Sequence, residues 1–169
     1  MKPRSARLFA ALRSVLYGTV FVLLWGWLAL EVRALDGALG GPLPMWTPLA
    51  GILVMTLGGA LALACLASFS FIGGGTPAPF DAPRELVVAG PYRWVRNPLY
   101  VAGFLMLVGF GLLHRSPAIL VLATVFVGLF HLFVIGYEEP RLAGEFGASY
   151  EAYRRRVPRW LPRRPGVGG

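Results

Sequence analysis

The sequence has little of what soluble enzymes and metal-binding domains usually carry. It contains one cysteine and eight acidic residues, and no charged residue lies between positions 37 and 80. The single thiol, Cys65, lies in an apolar stretch, which excludes a disulfide framework and a thiolate metal cluster. No metal site is predicted. An alternation of strand and helix patterns, which a Rossmann domain requires, is also missing. These absences direct attention to the long apolar segments.

The composition, 56% hydrophobic and 14% charged over 169 residues, is typical of a membrane protein. Uncharged stretches of spanning length predict four transmembrane helices. The chain is therefore predicted to be one all-α integral membrane domain over residues 1–169. The predicted spans are residues 14–30, 48–72, 98–113 and 117–137.

Basic residues are distributed unevenly around these spans. Of the sixteen lysines and arginines, all but Arg33 and Arg115 lie before the first span, between the second and third, or after the fourth. This asymmetry predicts that both termini are cytoplasmic, and we expect a bacterial inner-membrane protein with a retained first span. The net charge of +8 would suit nucleic acid, but its placement favours membrane lipids as partners, and no nucleic-acid partner is expected.

Local patterns predict how the helices begin, end and pack. The outer loop, residues 31–47, is rich in glycine and proline and is expected to be irregular. Pro98 is expected to begin the third span, and the glycines at 73–75 to end the second. Small residues in the second span predict close helix contacts. They are Gly51, Gly58, Gly59, Ala60 and Ala64.

A connection of four residues, 114–117, makes the third and fourth spans an antiparallel hairpin. Their cytoplasmic ends should therefore lie side by side. After the fourth span, apolar residues at helical spacing predict an interfacial amphipathic helix followed by a basic tail, over residues 140–169. The hairpin should bring two groups of side chains together, namely Arg96, Asn97 and Tyr100 with Tyr137, Glu138 and Glu139.

The adjacent carboxylates Glu138 and Glu139 lie at a membrane boundary, where a charge is usually paired or functional. Neighbouring helix residues point about 100° apart, so one of the two is expected to face inward. Both remain compatible with simple solvation or with arginine pairing. Arg96 and Asn97 precede free helix N–H groups and suit an anion. His131 is expected to make an interhelical hydrogen bond.

Two ordered motifs carry a family resemblance. Residues 84–103 read RELVVAGPYRWVRNPLYVAG and residues 138–159 read EEPRLAGEFGASYEAYRRRVPR. Together they resemble the isoprenylcysteine carboxyl methyltransferase and phospholipid methyltransferase superfamily, in a bacterial-type form. Asn97 stands where the isoprenylcysteine enzymes have histidine. The resemblance implies methyl transfer from S-adenosyl-L-methionine at the cytosolic face, to a lipophilic acceptor such as a prenylated thiol carboxylate, a phospholipid amine or a small thiol.

The resemblance also implies the site residues. Glu139 and Arg96 would be catalytic, with Glu139 orienting the cofactor or relaying a proton. A non-enzymatic membrane carrier or assembly protein built on the same hairpin stays open as the alternative, and the oligomeric state is not predicted. The cofactor would be bound by Leu86, Val87, Gly90, Tyr92, Arg96, Asn97, Tyr100, Glu138, Glu139, Tyr150 and Tyr153.

Overall fold

The computed structural model describes residues 4–69 and 86–162, except for the side chains of residues 4–11 and 14. Within those ranges the regular structure is entirely helical. Short 3-10 helices at Arg33–Leu39 and Gly90–Arg93 and a π turn at Val134–Glu138 accompany the α-helices. The α-helices are α1 (Arg4–Val32), α2 (Thr47–Ser68), α3 (Pro98–Leu113), α4 (Pro117–Phe133), α5 (Glu139–Phe146) and α6 (Ala148–Arg156).

Three helical segments in the described part are long and apolar enough to cross a membrane, which makes the chain an integral membrane protein. They are Val15–Leu39, Thr47–Ser68 and Pro117–Phe146. The fourth apolar helix, α3, begins at Pro98 as predicted and has 16 residues. The all-helical prediction is confirmed at this level.

The outer loop is more ordered than its composition predicted. Residues 33–39 form a 3-10 helix because Asp36 is fixed against the start of α4. The Ser116 hydroxyl donates to Asp36 Oδ1 at 2.7 Å, and the Ala118 N–H donates to the same oxygen at 3.0 Å. Ser116 Oγ in turn accepts the Ile119 N–H at 3.2 Å and caps α4. One carboxylate therefore joins the loop to the hairpin.

Close packing between α2 and α3 depends on glycines at the contact. A Cβ on Gly51 would lie 2.5 Å from the Leu113 nitrogen and 2.6 Å from the Gly109 oxygen. Gly58 lies against the Ala102 carbonyl at a corresponding 3.0 Å. The contact prediction was correct for Gly51 and Gly58, which are seven residues apart on one helix face. The prediction was wrong for the other small residues, which lie on different faces of the helix. A Cβ on Gly59 would have no neighbour within 4 Å, and Ala60 and Ala64 are exposed.

The C-terminal region differs from the single helix expected after residue 140. Helical geometry continues from α4 through the π turn into α5, beyond residue 137, where the fourth span is predicted to end. Pro140, the second residue of α5, lies directly after the π turn. The break comes at Gly147, whose φ of 50° and ψ of −126° suit a glycine, and α6 follows it. The terminal segment is therefore two short helices.

Some predictions concern residues outside the described ranges. They are the end of the second span at 70–72, the helix stop at 73–75, residues 76–85 of the loop between the second and third spans, and the end of the basic tail at 163–169.

We expect Gly51→Ala to destabilise the protein by about 1–3 kcal/mol, because the added methyl group overlaps the α3 backbone. Gly59→Ala makes the same change on the same helix in open space and should alter stability by less than about 1 kcal/mol. Thermal unfolding in detergent measures both. Equal effects of the two substitutions would contradict the proposed α2–α3 contact.

Candidate functional site

Glu139, the first residue of α5, is buried and lies between two guanidinium groups. Arg159 binds both of its oxygens, with Nε donating at 2.6 Å and Nη2 at 2.9 Å. Arg96 Nη1 approaches Oε1 at 2.9 Å from the loop before α3. The hydrogen bond to Glu139 raises the pKa of Arg159. A buried carboxylate is thus neutralised from two sides, and it joins three separate segments.

Arg96 is held at its backbone and at the end of its side chain. Its backbone N–H donates to the Pro158 carbonyl at 2.8 Å. Its Nη1 also donates to the Tyr150 hydroxyl at 3.1 Å. Tyr150 is almost fully buried in α6, and this burial raises its pKa, which keeps the phenol neutral. The predicted proximity of Arg96, Glu139 and Tyr150 is therefore present in the structure.

Residues 157–162, called the tail segment below, cross the end of the hairpin at which α3 begins and α4 ends. Asn97, which is buried, donates from Nδ2 to the Arg159 carbonyl at 3.2 Å. Trp160 Nε1 donates to His131 Nδ1 on α4 at 3.0 Å. His131 thus makes a hydrogen bond, as predicted, but its partner lies in the tail segment and not in another helix.

Glu138, the last residue of the π turn, accepts the Tyr100 hydroxyl at 2.9 Å. Tyr100 stacks on Phe130 with ring centroids 4.8 Å apart, and Trp160 meets its edge at 6.4 Å. The expectation that one glutamate faces inward is wrong, because Glu138 and Glu139 both have inward partners. The tail segment places Arg159 over Glu139. The hairpin alone would leave this carboxylate exposed to solvent.

The predicted apolar part of the site lies beside α2. Val87 and Tyr92 are buried in one cluster with Cys65 and Phe69, and Leu86, one residue earlier, is half-buried. The Tyr153 hydroxyl donates to the Tyr92 carbonyl at 2.7 Å, which connects α6 to this cluster. Burial raises the pKa of both phenols.

Gly90 is required where the chain turns into this cluster. Its φ is +59°, and a Cβ there would overlap the Ser68 hydroxyl. A side chain at this position would therefore push the 90–93 turn away from α2.

Sequence reasoning missed the part played by Arg159 and Trp160, although Arg159 was within the second motif. The sequence predicts only a basic tail after the terminal helix, and the fold reveals that this tail returns to Glu139. Arg93, in contrast, points away from the site, since it is exposed and lies 6.0 Å from the exposed ring of Trp94. In the described ranges no group of three histidine, cysteine, aspartate or glutamate residues is arranged to hold a metal ion.

Comparison with known proteins identifies the family. The sequence profile of the phospholipid methyltransferases matches residues 46–149, more than half of the chain. The chain belongs to the phospholipid methyltransferase family. The resemblance based on the two motifs is thereby confirmed, and the family match includes both glutamates.

Several curated proteins are similar to this member of the family. Rat protein-S-isoprenylcysteine O-methyltransferase is 30% identical over 123 residues, which cover 72% of this chain and 43% of the relative. Methanethiol S-methyltransferase of Crocosphaera subtropica is 37% identical over 90 residues, 52% of this chain and 31% of the relative. The nickel-cobalt-cadmium resistance protein NccN of Alcaligenes xylosoxydans xylosoxydans is 35% identical over 79 residues, 47% and 37% of the two chains.

The chain spans less than half the length of these relatives. No solved structure matches it. The family match ends at residue 149, so Tyr150, Tyr153 and the tail segment lie beyond it.

We expect Tyr153→Phe to lower stability by about 1–2 kcal/mol, because the buried Tyr92 carbonyl loses its hydrogen-bond donor. Tyr137→Phe removes the same hydroxyl from a half-exposed ring and should change stability by a few tenths of a kcal/mol. The thermal unfolding midpoint in detergent compares them. If the two variants unfold together, the Tyr153 bond does not hold α6 in place.

Proposed function

We propose that the protein is an S-adenosyl-L-methionine-dependent methyltransferase acting on a lipophilic acceptor. The observation that carries the proposal is that Glu138 has a hydrogen-bond donor but no described cation beside it. This partly buried carboxylate accepts a hydrogen bond from Tyr100, and no described cation lies within ion-pair distance of it. A carboxylate withdrawn from water usually requires a cationic partner. A cationic ligand meets that requirement.

The residues present fit this cofactor, which carries an ammonium, a carboxylate and a sulfonium. Glu138 would hold the ammonium, and Arg96 would face the carboxylate. Glu139 is already paired with two arginines, so its part is to position Arg96 rather than to contact the ligand. This division of roles revises the sequence-based assignment, in which Glu139 oriented the cofactor.

The bound cofactor supplies an activated methyl group on a positively charged sulfur. The protein supplies alignment, which is the main requirement of a direct displacement. Tyr100 orients Glu138 through its hydroxyl hydrogen bond. The buried side chains of Val87 and Tyr92 exclude water from one side of the site.

The acceptor is proposed to enter laterally from the bilayer. The α4 and π-turn residues Leu129, Leu132 and Ile135, which precede Glu138, have exposed apolar side chains. By their names, the similar rat and Crocosphaera enzymes methylate an isoprenylcysteine oxygen and a methanethiol sulfur. The acceptor classes proposed here are a prenylated thiol carboxylate, a phospholipid amine and a small thiol.

The membrane arrangement belongs to the same proposal. We place α3 as a fourth span, although 16 residues extend only about 24 Å against a core of about 30 Å. Both termini and the helices α5 and α6 lie on the cytoplasmic side of a bacterial inner membrane, with α6 at the interface. The arginine distribution supports this orientation.

Calorimetric titration with S-adenosyl-L-methionine tests the cofactor site. We expect the full chain in detergent to bind the cofactor, and Glu138→Gln to weaken binding roughly tenfold or more, about 1.4 kcal/mol. The glutamine oxygen still accepts the Tyr100 hydroxyl, so the variant should remain folded.

Glu145→Gln is the matched control, because Glu145 is an exposed carboxylate of α5 outside the site. It should bind within twofold of the wild type. Folded wild-type protein that fails to bind the cofactor at millimolar concentration would overturn the enzyme proposal and favour the carrier or assembly alternative.

Incubation with methyl-labelled cofactor and native bacterial membranes tests the acceptor. We expect label in the lipid-soluble fraction with the wild type, and at least tenfold less with Glu138→Gln. Label confined to water-soluble products would rule out a lipophilic acceptor while leaving methyl transfer intact.

A further inference from the structure

We propose that the protein has a second binding site, for a phosphate group, in an arginine-lined cleft beside the tail segment. The cleft has a volume of about 230 Å³. The cleft shares Arg96 with the proposed cofactor site, whereas Arg155 and Arg156 are not part of that site. The residues lining the cleft are Arg96, Arg154, Arg155, Arg156, Val157, Pro158 and Arg159.

The charge of the cleft calls for an anion. Five guanidinium groups line it, and two described carboxylates pair with them. Glu139 forms ion pairs with Arg96 and Arg159, and Glu151 forms one with Arg154 at 3.0 Å. Within the described ranges this leaves three positive charges in excess. Like charges confined in one cleft repel each other, and an anion with several oxygens offsets that repulsion.

The cleft also has unused hydrogen-bond donors. Arg155 is exposed and makes no hydrogen bond or ion pair within residues 4–69 and 86–162. Guanidinium forks match the tetrahedral oxygens of a phosphate, which binds through paired N–H donors. The donor set therefore favours phosphate over a smaller anion.

The cleft lies at the same end of the molecule as the start of the apolar helix α3. Two apolar side chains flank it along the chain, Trp94 with 57% and Leu161 with 78% of its surface exposed. Exposed aromatic and apolar side chains beside arginines are typical of the headgroup region of a membrane. The phosphate can thus come from a lipid headgroup or from solution, and both sources offer the same chemistry.

Occupation of the cleft by an anion should stabilise the tail segment in the position described above. Arg96 and Arg159 line the cleft while they hold Glu139. An anion there offsets their repulsion by Arg154, Arg155 and Arg156. The thermal midpoint should therefore rise with ligand concentration.

The experiment follows thermal unfolding of the full chain in neutral detergent, titrated with three probes. They are dioctanoyl phosphatidylglycerol, inorganic phosphate, and dioctanoylglycerol, which has the same chains without phosphate. We expect a saturable rise in midpoint with the phospholipid, with phosphate, or with both, and none specific to dioctanoylglycerol. The arms that respond identify the source. Arg155→Gln/Arg156→Gln should raise the half-saturating concentration at least tenfold.

The double variant Arg93→Gln/Arg141→Gln removes the same charge outside the cleft lining and should stay within twofold of the wild type. An equal loss in both double variants would show nonspecific electrostatics and overturn the site. Absence of any midpoint shift with either phosphate probe would also overturn it. Cofactor affinity should be unchanged in Arg155→Gln/Arg156→Gln, so failure here is distinct from failure of the proposed function.

Discussion

The paired carboxylate of Glu139 is the interaction on which the candidate site depends. A buried negative charge is tolerated only with close cations, and here Arg96 and Arg159 supply them. These partners come from the loop before α3 and from the tail segment. The Arg96 backbone N–H also donates to the Pro158 carbonyl, and the Arg159 carbonyl accepts a hydrogen bond from the Asn97 side chain. The two ion pairs of Glu139 thereby fix where the tail segment lies relative to the start of α3.

The continuous helix from α4 to α5 is the second constraint. Its π turn carries Glu138 and leads directly to Glu139, so the two carboxylates are presented to different neighbours. Local π geometry often occurs at functional sites. Glu139 stabilises the fold through its ion pairs with two arginines. Glu138 is then the remaining carboxylate, and Tyr100 orients it. The arginines beyond Glu139 form a separate, positively charged surface.

Much of the architecture was predictable from the sequence because its causes are local. Apolar length determines which segments can span a bilayer, and Pro98 determines where α3 begins. A short connection requires neighbouring helices to run antiparallel, which brought Arg96 and Tyr100 beside the two glutamates. The two motifs, read together, were specific enough to indicate the family.

The sequence by itself therefore determined the apolar segments, the hairpin and the residues that meet at its end. Only the tertiary structure decided that the tail segment folds back onto the hairpin, where Arg159 pairs with Glu139. It also decided that Gly51 contacts α3 while Gly59 faces open space. Hydropathy and proline act through local backbone geometry and leave a direct pattern in the sequence. An ion pair between residues 20 positions apart depends on the path of the chain in three dimensions, and so does the direction in which one glycine faces. No local pattern encodes that path.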